Sequence, residues 1–314
     1  MSGLVRDVGQ AARLIAALVV LTAAAPAAAA DFTLTVPHGG LTRTALVHAP
    51  GGARAAWPVV VNFHGGGGNA ESHRGWTRMD AAADRHGFVA VYPNGTGPIS
   101  GKLLVWNAGT CCGRAAAQGI DDVGFVLAML DALAGRVTID RARVYTTGLS
   151  NGAMMAQRLA ADAADRIAAV APVAGAMALT RLAPARAMPV MHFHSVDDPR
   201  ALYGGGLGPP FPGTNTRVTH TAVEESVKRW VIADACPGEP RTSPPVTGAD
   251  GHTATRVVWG PCRDEVEVVL WRLTGGGHVW PGAESFLPKL LGPPTKMIDA
   301  NEEMWKFFER FSRR

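Results

Sequence analysis

The chain has 314 residues, 47% of them apolar, which is enough for one large domain or two small ones. Its formal net charge of +4 is spread thinly, and no basic run is longer than the terminal Arg313-Arg314. The charge pattern therefore argues against a nucleic-acid partner.

The first 30 residues are typical of a secretory signal peptide. Arg6 and Arg13 precede an uncharged apolar run at residues 14–25, and an alanine-rich segment ending in Ala-x-Ala comes before Asp31. The apolar run is shorter than the roughly 20 residues that a membrane span needs, so we expect no membrane anchor after cleavage. We therefore predict a secreted protein, extracellular or periplasmic, with residues 31–314 as its catalytic domain.

Apolar strands and helices alternate along this domain. Residues 58–63 form a nearly continuous apolar run, typical of a strand covered on both faces. Asp121 is placed to cap a helix that ends near Ala134. Strands are predicted at residues 32–36, 44–48, 58–63, 87–92, 144–147, 168–173, 189–193, 255–259 and 266–273. Helices are predicted at residues 77–86, 121–134 and 151–160, around the stripe Val223, Val227, Trp230 and Val231, and after the cap Asp299. Loops are predicted at residues 97–117 and 202–213. The alternation predicts a single α/β domain, with a mostly parallel sheet and helices on both faces.

One junction between a strand and a helix carries a catalytic pattern. Residues 148–152 read Gly-Leu-Ser-Asn-Gly, between the β-branched strand at 144–147 and the alanine-rich helix at 151–160. The G-x-S-x-G pattern in this setting is typical of a nucleophile elbow, in which a sharp turn exposes the serine hydroxyl above the sheet. Ser150 is therefore the predicted nucleophile.

A serine nucleophile needs a base, and a third group must orient that base. The strand at residues 189–193 leads into Asp197 and Asp198, and the strand at residues 266–273 leads into a glycine loop that contains His278. This order, serine then carboxylate then histidine, is the order found in α/β-hydrolases.

Backbone N–H groups must also stabilise the oxyanion of an acyl-transfer reaction. Asn151, which follows the nucleophile, should supply one. The glycine run after His64 should supply the other, with Gly66 the position of choice and Gly65 or Gly67 as alternatives. His64 itself is interpreted as structural, holding this loop by a hydrogen bond.

Other patterns are weaker. His192 and His194 share one face of a strand near the two aspartates, but no third ligand cluster is present, so no metal site is predicted. Four cysteines allow three disulfide connectivities. Cys236 and Cys262 bracket a Pro/Gly-rich segment, where a disulfide would be worth roughly 3 kcal/mol. The adjacent Cys111 and Cys112 form either a vicinal disulfide or two free thiols.

Several motifs together resemble the secreted polyhydroxybutyrate depolymerase/feruloyl esterase family, which is related to family-one carbohydrate esterases. The motifs lie at residues 64–69, 106–113, 119–125, 148–154, 194–199 and 276–282. The resemblance implies an α/β-hydrolase fold, a serine carboxylesterase activity and no cofactor. By position it also implies a triad of Ser150, His278 and the aspartate before Pro199, which is Asp198, and a disulfide between Cys236 and Cys262. The chain departs from the family in carrying Asp197 as a second carboxylate.

The predicted function is a secreted serine esterase that cleaves small-molecule or polymer-linked esters, with feruloyl-type aromatic esters ahead of polyhydroxybutyrate. Trp106 and Trp280 could each offer a flat wall to a phenolic ring, or could only pack the loops. The single domain leaves no second module to hold the enzyme on an insoluble granule. A non-catalytic secreted binding protein on a hydrolase scaffold is the alternative from another class.

Overall fold

The structure is a computed structural model that describes residues 29–212 and 214–313. The predicted signal peptide lies outside these residues except for its last two, Ala29 and Ala30. Within the described ranges, no helix is both long enough and apolar enough to cross a membrane.

Strands alternate with helices over residues 57–173, as the sequence predicts. The strands are β1 (Ala30–His38), β2 (Leu41–Ala49), β3 (Trp57–Phe63), β4 (Val89–Pro93), β5 (Ile139–Leu149), β6 (Ala169–Val173), β7 (Val190–Ser195), β8 (Gly206–Leu207), β9 (Thr219–His220), β10 (Arg241–Thr242), β11 (Val246–Thr247), β12 (Thr253–Trp259) and β13 (Val268–Thr274). The helices are α1 (Ala70–Thr77), α2 (Met79–His86), α3 (Gly113–Ala117), α4 (Asp122–Ala134), α5 (Asn151–Asp162), α6 (Val223–Ala233), α7 (Pro288–Leu291) and α8 (Ala300–Phe308).

Eleven of these strands form one sheet, and β8 pairs with β9 separately. Six neighbouring strands of the sheet run parallel, in the order β4-β3-β5-β6-β7-β13. The strands at both edges pair antiparallel. Because the carboxyl ends of parallel strands meet at one edge of a sheet, the loops after β3, β5, β7 and β13 emerge together. The α/β-hydrolase prediction of a mostly parallel sheet is confirmed.

Helices cover both faces of the sheet. On β3, Val59, Val61 and Phe63 join one buried cluster, which also contains residues of α4, α5 and α6. Val60 points the other way and joins a second cluster with residues of α2 and α8. The alternation follows from the two-residue period of a strand, and it explains why β3 is apolar throughout.

The region between β3 and β4 differs from the prediction of one helix at residues 77–86. Two helices occupy it, and Arg78 separates them with a left-handed φ of 51°. The first helix begins with a capping box, in which Asn69 and Ser72 each accept a hydrogen bond from the other's backbone N–H. The helix α1 was not predicted because its eight residues include few apolar ones.

Candidate active site

Ser150 lies at a sharp turn between β5 and α5, with φ 58° and ψ −122°. A non-glycine residue at this φ is strained and marks a conformation that the surrounding structure imposes. A Cβ on Gly152 would collide with the carbonyl oxygens of Phe63 and His64, and one on Gly148 would collide with Phe63 and Gly152. Both flanking glycines are therefore required by the close approach of β3 to the turn, as in a nucleophile elbow.

His278 and Asp198 form a direct hydrogen bond, with 2.7 Å between His278 Nδ1 and Asp198 Oδ2. The Asp198 side chain is 0% exposed. Its other oxygen accepts from the backbone N–H groups of Arg200 at 2.7 Å and Ala201 at 2.8 Å. His194 Nε2 lies 3.5 Å from Asp198 Oδ2. The carboxylate is thus held from several sides, and its bond to Nδ1 leaves Nε2 of His278 free to accept a proton.

Opposing effects act on the Asp198 carboxyl. Burial alone would raise its pKa. The charge of His278 and the N–H groups of His194 and His278 outweigh burial and hold the pKa well below its usual range. Asp198 therefore stays ionised at neutral pH.

Asp197 has a different environment from its neighbour. It is exposed, and its Oδ2 accepts from the backbone N–H of Gly275 at 2.7 Å. The Ser195 hydroxyl donates to the carbonyl of Gly276 in the same glycine loop. These two side chains hold the loop that carries His278, whereas Asp198 contacts the imidazole itself.

The glycine loop after β3 lies against the elbow. A Cβ on Gly65 would be 3.5 Å from Ser150 Cβ, and one on Gly66 would be 3.7 Å from Asn151 Cβ. The N–H of Gly67 already donates to the carbonyl of Leu104 at 2.8 Å. Within residues 29–212 and 214–313, the N–H of Gly66 donates to no protein acceptor. Asn151 is the first residue of α5, where backbone N–H groups have no acceptor within the helix.

His64 anchors this loop, as the sequence analysis interpreted it. Its Nδ1 donates to the carbonyl of Gly65 at 2.8 Å, and its Nε2 accepts from the N–H of Gly95 at 3.0 Å. Burial lowers the pKa of His64 to about 4. A neutral ring is what this pattern of one donor and one acceptor requires.

The sequence left two roles open for Trp106 and Trp280, a flat wall for a substrate or packing of the loops, and in the structure both side chains are buried and present no flat wall. Trp106 is 0% and Trp280 is 1% exposed, and each indole N–H is already bonded. Nε1 of Trp106 donates to the carbonyl of His64 at 3.0 Å, and Nε1 of Trp280 donates to Asn301 Oδ1 at 3.1 Å. Both rings pack beneath the loops, because an indole near a strand end can bury its whole apolar surface and still satisfy its N–H.

Phe211 lies at the site, although its sequence context predicts only a Gly/Pro loop. Its Cε1 is 3.4 Å from the position of a Cβ on Gly66, and it is half-buried. Arg200 Nη2 donates to the carbonyl of Pro210 at 3.0 Å, which ties this loop to the segment after Asp198. In the sequence, Phe211 stands out only as an aromatic residue in a loop that follows a strand of the parallel sheet.

The cysteines are paired in the structure. Cys236 and Cys262 form a disulfide that spans 26 residues of sequence, so that prediction is confirmed. Cys111 and Cys112 are joined by a cis peptide bond, and their sulfurs are paired with each other.

His192 and His194 contact each other rather than forming part of a metal cluster. Their rings stack with 8° between the planes, and His192 Nε2 lies 3.1 Å from His194 Nδ1. Among residues 29–212 and 214–313, no group of three or more metal-binding side chains is found.

The strand order, the elbow and the bonded histidine and aspartate define an α/β-hydrolase. The family described as Esterase PHB depolymerase matches residues 42–236, more than half of the chain. The chain belongs to this family.

Relatives within this class act on different esters. The chain is 28% identical over 244 residues to feruloyl esterase B of Piromyces equi, covering 75% of this chain and 42% of the relative. It is 34% identical over 131 residues to poly(3-hydroxyalkanoate) depolymerase C of Paucimonas lemoignei, covering 41% of this chain and 30% of the relative. The chain thus spans less than half the length of either relative.

A solved structure of acetyl xylan esterase from Aspergillus awamori has the same fold. It superposes with a TM-score of 0.59 at 16% identity, covering 88% of this chain and 99% of that one. At this identity the likeness describes the fold alone.

Proposed function

We propose that this protein is an exported serine carboxylesterase that hydrolyses small or aromatic, feruloyl-type esters through an acyl-enzyme. Ser150 is the nucleophile, His278 the general base and acid, and Asp198 the group that orients His278. The backbone N–H groups of Gly66 and Asn151 stabilise the oxyanion, and the reaction uses no cofactor.

The observation that carries this proposal is the buried hydrogen bond between His278 and Asp198, on loops at the same sheet edge as the Ser150 turn. The bond fixes the tautomer of His278 in which Nε2 is unprotonated. Because Asp198 stays ionised, it also stabilises the imidazolium that forms when His278 accepts a proton.

The reaction follows from these roles. Nε2 of His278 takes the Ser150 hydroxyl proton as the oxygen attacks the ester carbonyl, and the resulting oxyanion accepts hydrogen bonds from Gly66 and Asn151. The imidazolium then gives its proton to the leaving alkoxide, which departs as an alcohol. Water attacks the acyl-enzyme by the same route, releases the acid and restores Ser150.

The chemical class can be tested with a serine-directed organophosphonate and a chelator in parallel. We expect the phosphonate to abolish ester hydrolysis and to add one covalent group, mapped by mass spectrometry to Ser150, while the chelator has no effect. A chelator-sensitive activity, or a label at another residue, would contradict the proposal. A protein that reacts with no ester and takes no label would fit the alternative of a non-catalytic binding protein.

The substrate ranking rests on the relatives, because both tryptophans proposed as aromatic walls are buried. The feruloyl esterase aligns over 75% of this chain and the polyhydroxyalkanoate depolymerase over 41%. We therefore propose feruloyl-type esters first and a polyhydroxybutyrate depolymerase as the second candidate. Turnover of methyl ferulate compared with clearing of a polyhydroxybutyrate suspension separates them, and clearing without ferulate hydrolysis would reverse the ranking.

Two features support export. The N-terminal 30 residues have the pattern of a signal peptide. The disulfide between Cys236 and Cys262 is a bond that persists in oxidising compartments. An N-terminal sequence of the purified exported protein beginning at Asp31 is the expected result, and a retained N-terminus would contradict it.

A further inference from the structure

Trp106 makes direct hydrogen bonds to both segments of the proposed oxyanion site. Its indole Nε1 donates to the carbonyl of His64, at the start of the glycine loop, at 3.0 Å. Its backbone N–H donates to Asn151 Oδ1 at 2.7 Å, and its carbonyl accepts from Asn151 Nδ2 at 3.1 Å. One residue therefore joins the loop that carries Gly66 to the side chain of Asn151.

We propose that Trp106 is a positioning residue that fixes the distance between the Gly66 and Asn151 N–H groups. This inference rests on the proposed function, because it assigns Trp106 a role in stabilising the oxyanion of that reaction. It replaces the substrate-wall role suggested by the sequence with a role in holding the backbone.

The hydrogen bonds that join His64, Trp106 and Asn151 are called the clamp below. The burial of these groups makes the clamp rigid. Trp106 is 0% and Asn151 2% exposed, so any displacement would leave polar atoms buried without partners. The indole packs edge-on to Phe63 at 5.1 Å between ring centroids and lies 4.9 Å from the His64 ring. The side chain thus fills the space directly beneath the glycine loop.

The backbone after Trp106 is fixed in turn to the body of the protein. The N–H of Asn107 donates to Asp122 Oδ2 at 2.8 Å, and Asp122 Oδ1 accepts from Arg43 Nη2 at 2.7 Å. This ion pair is buried, with side-chain exposures of 4% for Arg43 and 0% for Asp122. The guanidinium also lies 4.0 Å from the Phe125 ring centroid. Trp106 is therefore attached to β2 and α4, so its position does not depend on the mobility of a surface loop.

If Trp106 positions the oxyanion donors, the loss of its indole hydrogen bond should change one kinetic constant more than the other. Oxyanion donors bind the tetrahedral intermediate more tightly than the planar ester, so their displacement lowers kcat more than it raises KM. A misplacement of about 1 Å can cost roughly 10²-fold in rate. Loss of the indole bond should therefore reduce kcat with little change in KM.

The test compares Trp106→Phe with Trp230→Phe. Trp230 is also a buried indole, 1% exposed, and its Nε1 donates to Gln157 Oε1 at 3.1 Å rather than to either oxyanion segment. We expect Trp106→Phe to lower kcat by about 10- to 10²-fold with KM changed less than about twofold. Inhibition by an aryl boronic acid, which forms a tetrahedral adduct, should weaken by a similar factor. Trp230→Phe should lower the melting temperature comparably and keep the wild-type kcat.

A second variant keeps the test decisive if Trp106→Phe folds poorly. Asn151→Ala removes the clamped side chain but keeps the backbone N–H, and it should reproduce the fall in kcat. The double variant should lose less than the product of the two single losses, because both act on one clamp. A wild-type kcat in Trp106→Phe, or an equal loss in Trp230→Phe, would overturn the inference while leaving the esterase proposal intact. Failure of the wild-type enzyme to react at Ser150 with a phosphonate would instead remove the proposed function, and this inference with it.

Discussion

At the scale of single residues, two adjacent carboxylates differ in how far they are buried. Asp198 is enclosed and bonded to His278, whereas Asp197 faces solvent and holds Gly275. We expect Asp198→Asn to lower kcat by about 10⁴-fold, because an amide favours the wrong imidazole tautomer. Asp197→Asn, the matched control, keeps an oxygen acceptor for Gly275 and should have a small effect. Steady-state kinetics of the two variants check this, and the reverse ranking would contradict the assignment.

Activity should also depend on pH, because a general base must be neutral to accept the Ser150 proton. We therefore expect kcat/KM to fall towards low pH. Asp198, whose pKa is held low, should remain ionised through the same range. A pH–rate profile between pH 8 and pH 4.5 measures this on an enzyme shown to remain folded. A flat profile would exclude His278 as the base.

The residues of the candidate triad were predictable because their signals are local. The elbow requires Gly148 and Gly152 within two residues of Ser150, and Asp198 and His278 each follow a recognisable buried strand. The roles of Trp106 and Phe211 were not predictable in this way. Each depends on a contact between segments far apart in sequence, and a residue's type does not reveal which distant segment it will meet.

At the scale of secondary-structure elements, β3 can approach the elbow closely because Gly152 has no side chain. Gly152→Ala would bring a Cβ onto the carbonyl oxygens of Phe63 and His64, so we expect a loss of about 3 kcal/mol or more in stability, together with loss of activity. The control is Gly75→Ala in α1, where a Cβ meets nothing within 4 Å. Since alanine favours a helix, this control should stabilise the protein by about 0.5–1 kcal/mol.

Chemical denaturation of both glycine variants gives the comparison. An unchanged midpoint for Gly152→Ala, with full activity, would mean that the strand and the elbow are farther apart than the structure places them.

Long elements were predicted better than short ones, for a physical reason. The N-cap of α4 at Asp121 accepts a hydrogen bond from Gly124 N, and the cap of α8 at Asp299 accepts from Asn301 and Glu302, as their sequence patterns indicated. The helix α1 and the strands β8 and β9 were missed. The helix α1 has few apolar residues, and β8 and β9 have only two residues each, so the stability of these elements comes from tertiary contacts.

At the scale of the whole molecule, one buried carboxyl makes stability depend on pH. Asp234 is 0% exposed, accepts from the N–H of Met188 at 2.9 Å, and has its pKa raised to about 7 by burial. The folded state therefore binds this proton more tightly than the unfolded chain, whose aspartate pKa is about 3.9. The stabilisation is complete below pH ~4 and is lost as the pH rises to about 7.

Asp234→Asn should remove this part of the pH dependence. It keeps an acceptor for Met188 but cannot ionise, so its stability relative to wild type should rise by up to ~1.4 kcal/mol per pH unit within the window. Thermal unfolding of both proteins from pH 4 to pH 8 provides the measurement. Parallel curves for the two proteins would show that Asp234 does not titrate in this range.

If Ser150 forms the covalent acyl-enzyme, its replacement by alanine should remove ester hydrolysis. Ser150→Ala should lower kcat for methyl ferulate, or for whichever ester the wild type cleaves, by on the order of 10⁶-fold while the melting temperature stays near wild type. Ser243→Ala, which removes a hydroxyl that accepts from Arg256 N at the edge of the sheet, should keep full activity. A folded Ser150→Ala enzyme that retained a tenth of wild-type turnover would show that Ser150 is not the nucleophile.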